Sequence, residues 1–296
     1  MSQPTTAPSD TDVHTATLEV PGAVLTYDVR PGTGDDVPLF LFASPMPAAG
    51  LAALAAHVGD RTVITYDPRG SARSTRPDPT APSTPDDHAG DLHRIIAAVT
   101  DGPVDVFASS GGAVNALALV TAHPEQVRTL VAHEPPLARM LPDRDAALAA
   151  CTAVADAYQQ DGFGAGMARF ITLVMRRGPI GADVFDPAPD PAAFGLPTTD
   201  DGSRDDVLLG QNLRAGTAYQ PDLAALRAAA TRIVVAVGAE SEGEFAARAG
   251  VALAELLGVP VVTVPSHHVG FSEGGGGAPA GDPPAFAAAL RTVLAG

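Results

Sequence analysis

The chain has 296 residues, 46% of them hydrophobic and 18% charged, which is enough apolar material for one large α/β domain or a core carrying an insertion. Its 34 acidic residues outweigh 18 basic ones, all arginine, for a net charge of −16, which argues against nucleic-acid or anionic-membrane partners. A single cysteine, Cys151, excludes an internal disulfide framework. The polar stretch Met1 to Ala16 lacks a basic region followed by an apolar run, and no segment reaches membrane-span length, so the expected compartment is the cytoplasm.

Residues 1–14 read as a disordered lead-in. Ala16–Val20 and Ala23–Arg30 follow as two strands joined at Pro21-Gly22, a hairpin-like opening. Pro38–Ala43 is a short continuous apolar run of the kind buried parallel strands show. Leu51–His57 reads as a helix and Thr62–Tyr66 as a strand. The loop 67–74 and a helix over Asp86–Val99 come next, with Asp91, Leu92, Ile95 and Ile96 dividing into polar and apolar faces. Strand 104–108, helix 111–122, the turn His123-Pro124-Glu125 and strand Val127–Ala132 continue the alternation. That pattern predicts a mostly parallel sheet with helices on both faces.

After Glu134-Pro135-Pro136 the pattern changes, and no strand run occurs before about Pro221. Ala146–Gln159, which holds Cys151 as a small buried residue, and Gly164–Arg176 have helical character, and a Pro/Asp/Gly-rich stretch runs from Gly178 to Gly202. Residues 137–221 therefore read as a helical lid inserted into a core made of residues 15–136 and 222–296. A short helix, Asp222–Ala230, leads back to strand Thr231–Val237, helix Glu244–Leu257, strand Pro260–Val264 and a final helix Pro284–Leu294. The run Gly274–Gly277 reads as a flexible loop.

The stretch Val104-Asp105-Val106-Phe107-Ala108-Ser109-Ser110-Gly111-Gly112 is the most informative in the chain. A β-branched run meets a small-x-Ser-x-small turn, and an Ala-rich helix follows at once. This is the pattern of a nucleophile elbow, a strand-to-helix turn so tight that the serine sits at strained backbone angles with its hydroxyl displayed. Residues two before and two after the serine must be small, and Ala108 and Gly112 satisfy this around Ser110. Choosing Ser109 would put Phe107 in one of those positions.

Together with Asp67-x-Arg69-Gly70-x-x-x-Ser74, the His123-Pro124-Glu125 turn and the loop Val264-Pro265-Ser266-His267-His268-Val269-Gly270-Phe271, the elbow resembles the α/β-hydrolase superfamily over about Ala23 to Leu294. The resemblance implies the α/β-hydrolase fold, a Ser-acid-His order along the chain and no metal or cofactor. It aligns His268 with the base and leaves His267 as a neighbour that shapes the loop. The usual acid position, after the seventh strand, holds Ser241 within Gly238-Ala239-Glu240-Ser241-Glu242. Glu240 or Glu242 could reach in from a shifted loop. The favoured alternative is Glu134 at the end of the sixth strand, where some haloalkane dehalogenases of the superfamily carry their acid. Oxyanion donors are expected from the Gly111 amide and, in Phe42-Ala43-Ser44-Pro45-Met46, from the Ser44 amide. Met46 is a secondary donor or a pocket wall, and Asp67 and Arg69 read as structural.

Phe163, Met167, Phe170, Ile171, Val174 and Met175 recur at helical spacing in the lid; they read as an amphipathic face on the core, part of which could roof an apolar pocket, with Met167 and Phe170 as candidate pocket residues. The leading expectation is a serine hydrolase acting on a medium-sized apolar ester or lactone, in an oligomeric state the sequence does not specify. The same residues would serve C–C or amide hydrolysis or another secondary-metabolite reaction, and a slow or non-catalytic ligand-binding member is a third reading. A serine at the elbow argues against dehalogenase and epoxide-hydrolase chemistry, whose enzymes in this superfamily use aspartate.

Overall fold

Apolar runs that alternate with amphipathic helices assemble here into one eight-stranded sheet, ordered β1-β2-β4-β3-β5-β6-β7-β8. The computed structural model describes residues 13–275 and 279–296. Most of the expected disordered lead-in, and part of the Gly274–Gly277 loop, lie outside the described residues. Strand β1 (His14–Val20) begins at His14, inside that expected lead-in, because its full length pairs antiparallel with β2 (Ala23–Arg30) across the turn at Pro21-Gly22. Strand β2 pairs antiparallel with β4 (Val63–Asp67). From there the sheet is parallel through β3 (Leu39–Ser44), β5 (Val104–Ser110), β6 (Val127–His133), β7 (Arg232–Gly238) and β8 (Val261–Val264).

The period-two alternation of the strands divides the core into two clusters. Phe40, Phe42, Val106, Ala108, Leu130 and Ala132 face one, and Leu39, Leu41, Phe107 and Val131 face the other. Helix α1 (Ala52–Ala56), preceded by a 3₁₀ turn at Ala48–Leu51, contributes Leu54 to the second cluster. Helices α2 (Pro85–Val99) and α3 (Gly111–Ala122) cover the first. The start of α2 is fixed by a capping box: Thr84 Oγ accepts from the Asp87 amide and Asp87 reaches back to the Thr84 amide, with Pro85 at the first position. Helix α3 is buried at every residue from Gly112 to Val120, as a helix that is apolar all round should be.

Asp91 is a correction to the simple two-faced reading of α2. It is fully buried and bound by Arg69, whose Nε and Nη2 donate to its two oxygens at 2.8 and 2.7 Å. The partner comes from the loop after β4, so helical periodicity alone could not reveal it.

Between β6 and β7 the described chain contains helices and turns but no strand. Helices α4 (Arg144–Asp161) and α5 (Phe163–Met175) pack against each other. A π-helical turn (Val207–Asn212) runs into α6 (Leu213–Thr217). Cys151 is buried on α4. On α5 the residues buried deepest are Gly164, Gly166, Ala168 and Leu173; the larger Phe163, Met167 and Phe170 are half-buried against the first cluster, and Met175 is 67% exposed. The chain closes with α7 (Leu223–Ala228), α8 (Phe245–Leu257) and α9 (Pro283–Ala295), and α9 places Phe286 and Leu290 in the second cluster. No helix among the described residues is long and apolar enough to cross a membrane.

Candidate active site

Parallel strands end together, and here their register brings the carboxyl ends of β3, β5, β6, β7 and β8 into one row: Ser44 opposite Ser110, Ser109 opposite His133, His133 opposite Ala236, and Gly238 opposite Val264. That edge is where α/β sheets gather functional groups. Four non-glycine residues among those described adopt positive φ, and three lie here: Ser110 (φ 56°), Glu134 (φ 46°) and Ser266 (φ 69°). Each side-chain residue loses backbone freedom at such angles, so their clustering marks a site held under strain by its surroundings.

Ser110 ends β5 and Gly111 begins α3, so the turn between them has no spare residue. Small neighbours make it feasible. A Cβ on Gly112 would stand 2.9 Å from Ala43 Cα, a backbone atom that cannot yield. Ser110 is half-buried, and the first amides of α3 point toward its side of the turn with the positive end of the helix dipole.

The carboxylate bonded to His268 is Glu134. His268 Nδ1–H donates to Glu134 Oε2 at 2.5 Å, and the Gly238 amide donates to Glu134 Oε1 at 2.7 Å. The Glu134 amide itself donates to Ala236 O at 3.0 Å, and Pro135 and Pro136, having no N–H, end the strand there. Glu134 is 1% exposed, a burial that alone would favour the neutral acid. The bond and the charge of His268, the nearby His133 and the Gly238 amide outweigh that desolvation and hold the carboxyl down at about 2. The side chain of His268 is one-third exposed.

Glu240 and Glu242 are both exposed, and neither bonds His268; the Glu240 carbonyl instead accepts from Arg177 Nη2 at 2.8 Å. Ser241, in the usual acid position, is fully buried and its hydroxyl has no hydrogen-bond partner among the described residues. Its Oγ lies 3.0 Å from where a Gly238 Cβ would be, and Ser266 O lies 2.7 Å from the same point, so only glycine lets the His268 loop approach β7 this closely. His267 turns away from Glu134. Its Nε2–H donates to Ala280 O at 3.2 Å and its Nδ1 accepts from the Val269 amide at 3.3 Å, so it anchors the loop.

Ser44 is the last residue of β3, and its carbonyl oxygen lies 2.9 Å from where a Gly111 Cβ would be. Two residues on, the Met46 amide donates to no acceptor among the described residues. Asp67 pins this loop from β4: Oδ1 accepts from the Ala48 amide at 2.8 Å, Oδ2 accepts from Arg73, and Ser71 Oγ donates to Pro45 O at 2.9 Å. Met46 packs with the second core cluster, whereas Met167 and Phe170 pack with the first. Two surface clefts, of about 550 and 400 Å³, involve neither Ser110 nor His268: one lies along α8 and β7, the other beside Arg61, Arg128 and Arg291. No cluster of metal-ligating side chains occurs among the described residues.

Sequence reasoning gave no role to His133. It is wholly buried, its Nδ1 lies 2.9 Å from Ser109 Oγ, and its Nε2 lies 4.0 Å from Glu134 Oε1. Its adjacency to Glu134 was the only sequence signal, because the Ser109 contact depends on strand register.

This edge thus carries a strained serine at a strand-helix turn and an imidazole bonded to a buried carboxylate. The family model of the alpha/beta hydrolase fold matches residues 41–220, and the chain belongs to that family. The chain is 38% identical over 130 residues to the uncharacterized hydrolase YraK of Bacillus subtilis (strain 168), a match covering 44% of this chain and 47% of that protein, so about half the length of the relative. Among solved structures, a hydrolase from Pseudomonas aeruginosa superposes with a TM-score of 0.63 at 19% identity, covering 95% of this chain and 98% of that one. A thermophilic esterase from Thermogutta terrifontis gives 0.62 at 18% identity with the same coverage. An α/β hydrolase from Sphaerobacter thermophilus gives 0.63 at 21%, covering 94% and 100%. At these identities the likeness is one of fold.

Proposed function

We propose that this protein is a serine hydrolase that cleaves a carboxylic ester or lactone of a medium-sized apolar substrate through an acyl-enzyme on Ser110. Ser110 Oγ attacks the carbonyl carbon while His268 Nε2 takes its proton, and Glu134 steadies the resulting imidazolium through Nδ1–H. The amide of Gly111, with that of Ser44 or Met46 from the loop after β3, holds the oxyanion. His268 then returns the proton to the leaving alkoxide, and a water deprotonated by the same imidazole releases the acid. The helical segment 137–221 serves as the lid, and its half-buried Met167 and Phe170 support an apolar substrate. The net charge of −16 favours a neutral small molecule over an anionic polymer.

The observation that carries this reading is the 2.5 Å bond from His268 to the buried Glu134, on the same sheet edge as a serine at φ 56°. The test is to treat the protein with a fluorophosphonate and locate the adduct by peptide mass spectrometry. We expect a single adduct on Ser110 and none in Ser110→Ala. Glu134→Gln should lower kcat on 4-nitrophenyl butyrate by about 10³–10⁴-fold with KM little changed, since its interaction strengthens only in the charged transition state. Glu240→Gln and Glu242→Gln should stay within about twofold of the parent. Labelling elsewhere, or an active Glu134→Gln protein, would overturn the assignment.

A further inference from the structure

Resting on that reading, we propose that His133 is a positioning residue of the site: from within the core it holds the Glu134 carboxylate in the orientation that binds His268, and Ser109 sets the tautomer that allows it. The imidazole stands on β6 immediately before the acid, and its ring lies 6.0 Å from that of His268 with 25° between their planes. Phe107, Phe271 and Phe286 surround it at centroid distances of 5.9, 6.1 and 5.4 Å, leaving no route to solvent. In such a setting a polar ring needs a reason to be there, because an apolar side chain would be cheaper to bury.

The reason lies in its two nitrogens. Nδ1 is paired with Ser109 Oγ at 2.9 Å, and Nε2 has no hydrogen-bond partner but faces Glu134 Oε1 at 4.0 Å. Two neutral tautomers are available. If Nδ1 carried the proton, the Nε2 lone pair would face an ionised carboxylate and repel it. If the Ser109 hydroxyl donates to Nδ1, the proton sits on Nε2 and its N–H dipole points its positive end at Glu134. The second arrangement is the favourable one, and burial keeps the ring neutral by pushing its pKa down to about 4. Glu134 is then held by the Gly238 amide and His268 through bonds and by His133 through a longer-range dipole. Ser109 is the residue preceding Ser110, so one line of contacts runs from β5 through β6 to the His268 loop.

The test uses His133→Phe, His133→Gln and His133→Asn, each made in the parent and in Glu134→Gln. Phenylalanine suits the surrounding rings, so the fold should survive. Glutamine places an N–H near the Nε2 position and asparagine places one near Nδ1. The readouts are kcat and KM on 4-nitrophenyl butyrate, the rate of fluorophosphonate labelling of Ser110, and Tm. We expect His133→Phe to lower kcat and the labelling rate about tenfold with KM within twofold, His133→Gln to recover most of that loss, and His133→Asn to recover little. In Glu134→Gln, His133→Phe should cause no further loss, because both residues act through one unit. Ser109→Ala should give a smaller fall in kcat alone, and it decides the matter if His133→Phe does not fold. A His133→Phe protein with parental kcat, an equal loss in both backgrounds, or equal recovery by asparagine and glutamine would overturn the proposal while Ser110 labelling stands. Absence of labelling at Ser110 in the parent would instead overturn the serine-hydrolase reading and this proposal with it.

Discussion

Buried ionisable groups fix how the site responds to acid, and two neighbours in sequence both lose stability as pH falls, over different windows. The Glu134 carboxyl is held at about 2, below its ordinary 4.5, by the bond to His268, whose charge adds to the effect. A lowered carboxylate stabilises the fold above its unfolded value and loses that contribution only as pH falls from about 4.5 toward 2. His133 is held at about 4, below its ordinary 6.5, by desolvation. The unfolded chain then binds a proton that native His133 refuses, so stability falls as pH drops from about 6.5 to about 4. The full effect is roughly 3 kcal/mol. His88, also buried and lowered by desolvation, acts in the same direction. Between pH 7 and 4.5, therefore, Tm of the parent should drop by more than that of His133→Gln, measured by calorimetry at the two pH values. Equal drops would mean that native His133 takes a proton at no cost. At this scale the sequence displayed Ser110 and the His268 loop, because both are written in contiguous residues. It left three carboxylates open, since which of them meets His268 depends on how β6 and β7 align.

Elements are locked together by polar contacts that cross large sequence separations, and these were the least legible. The loop after β4 binds the buried face of α2 through Arg69 and Asp91, whose side chains are 7% and 0% exposed. Tyr66, beside them on β4, has its hydroxyl pKa pushed up by burial, with the charge of Asp91 adding to it. Removing one member leaves an unpaired charge in the core, which costs about 3–5 kcal/mol, whereas replacing both with apolar side chains of similar volume is close to neutral. Asp91→Ala should lower the urea midpoint by an amount worth about 3 kcal/mol, and Arg69→Met with Asp91→Leu should return to within about 1 kcal/mol of the parent. If the double variant is as unstable as the single one, the pair is a net source of stability. Periodicity placed α2, α4 and α5 within a few residues of their true ends, and α3 was placed by the Ala-rich run that follows the elbow. It could not place Asp91 in the core, since the guanidinium that neutralises it lies in another element. Of the large apolar residues of α5 expected to pack on the core, Phe163, Met167 and Phe170 do so half-buried, while Gly164, Gly166, Ala168 and Leu173 take the deepest positions because α5 lies close against α4, where Gly166 meets Tyr158.

For the molecule as a whole, the alternation of strands and helices was enough to read a sheet with both faces covered, and that sheet decides where chemistry can occur. The five parallel ends from β3 to β8 converge, so residues far apart in the chain meet on one edge. The chain as a whole carries −16. A field of that size acts on any charged molecule that approaches, and it fades as the Debye length shortens from about 30 Å at 0.01 M salt to about 8 Å at 0.15 M. An ester bearing a carboxylate on its acyl chain should therefore bind more weakly than a neutral ester of equal length at low ionic strength. Raising salt from 0.01 to 0.15 M should lower KM for the anionic ester several-fold and leave KM for the neutral one nearly unchanged. Steady-state kinetics on a matched pair of nitrophenyl esters, hexanoate and adipate monoester, would measure this. The comparison separates field from chemistry, since under the proposed mechanism both substrates would present the same carbonyl to Ser110. A salt response shared by both esters would place the effect in the protein's own stability, and one absent from both would mean that no net field acts where the ester binds.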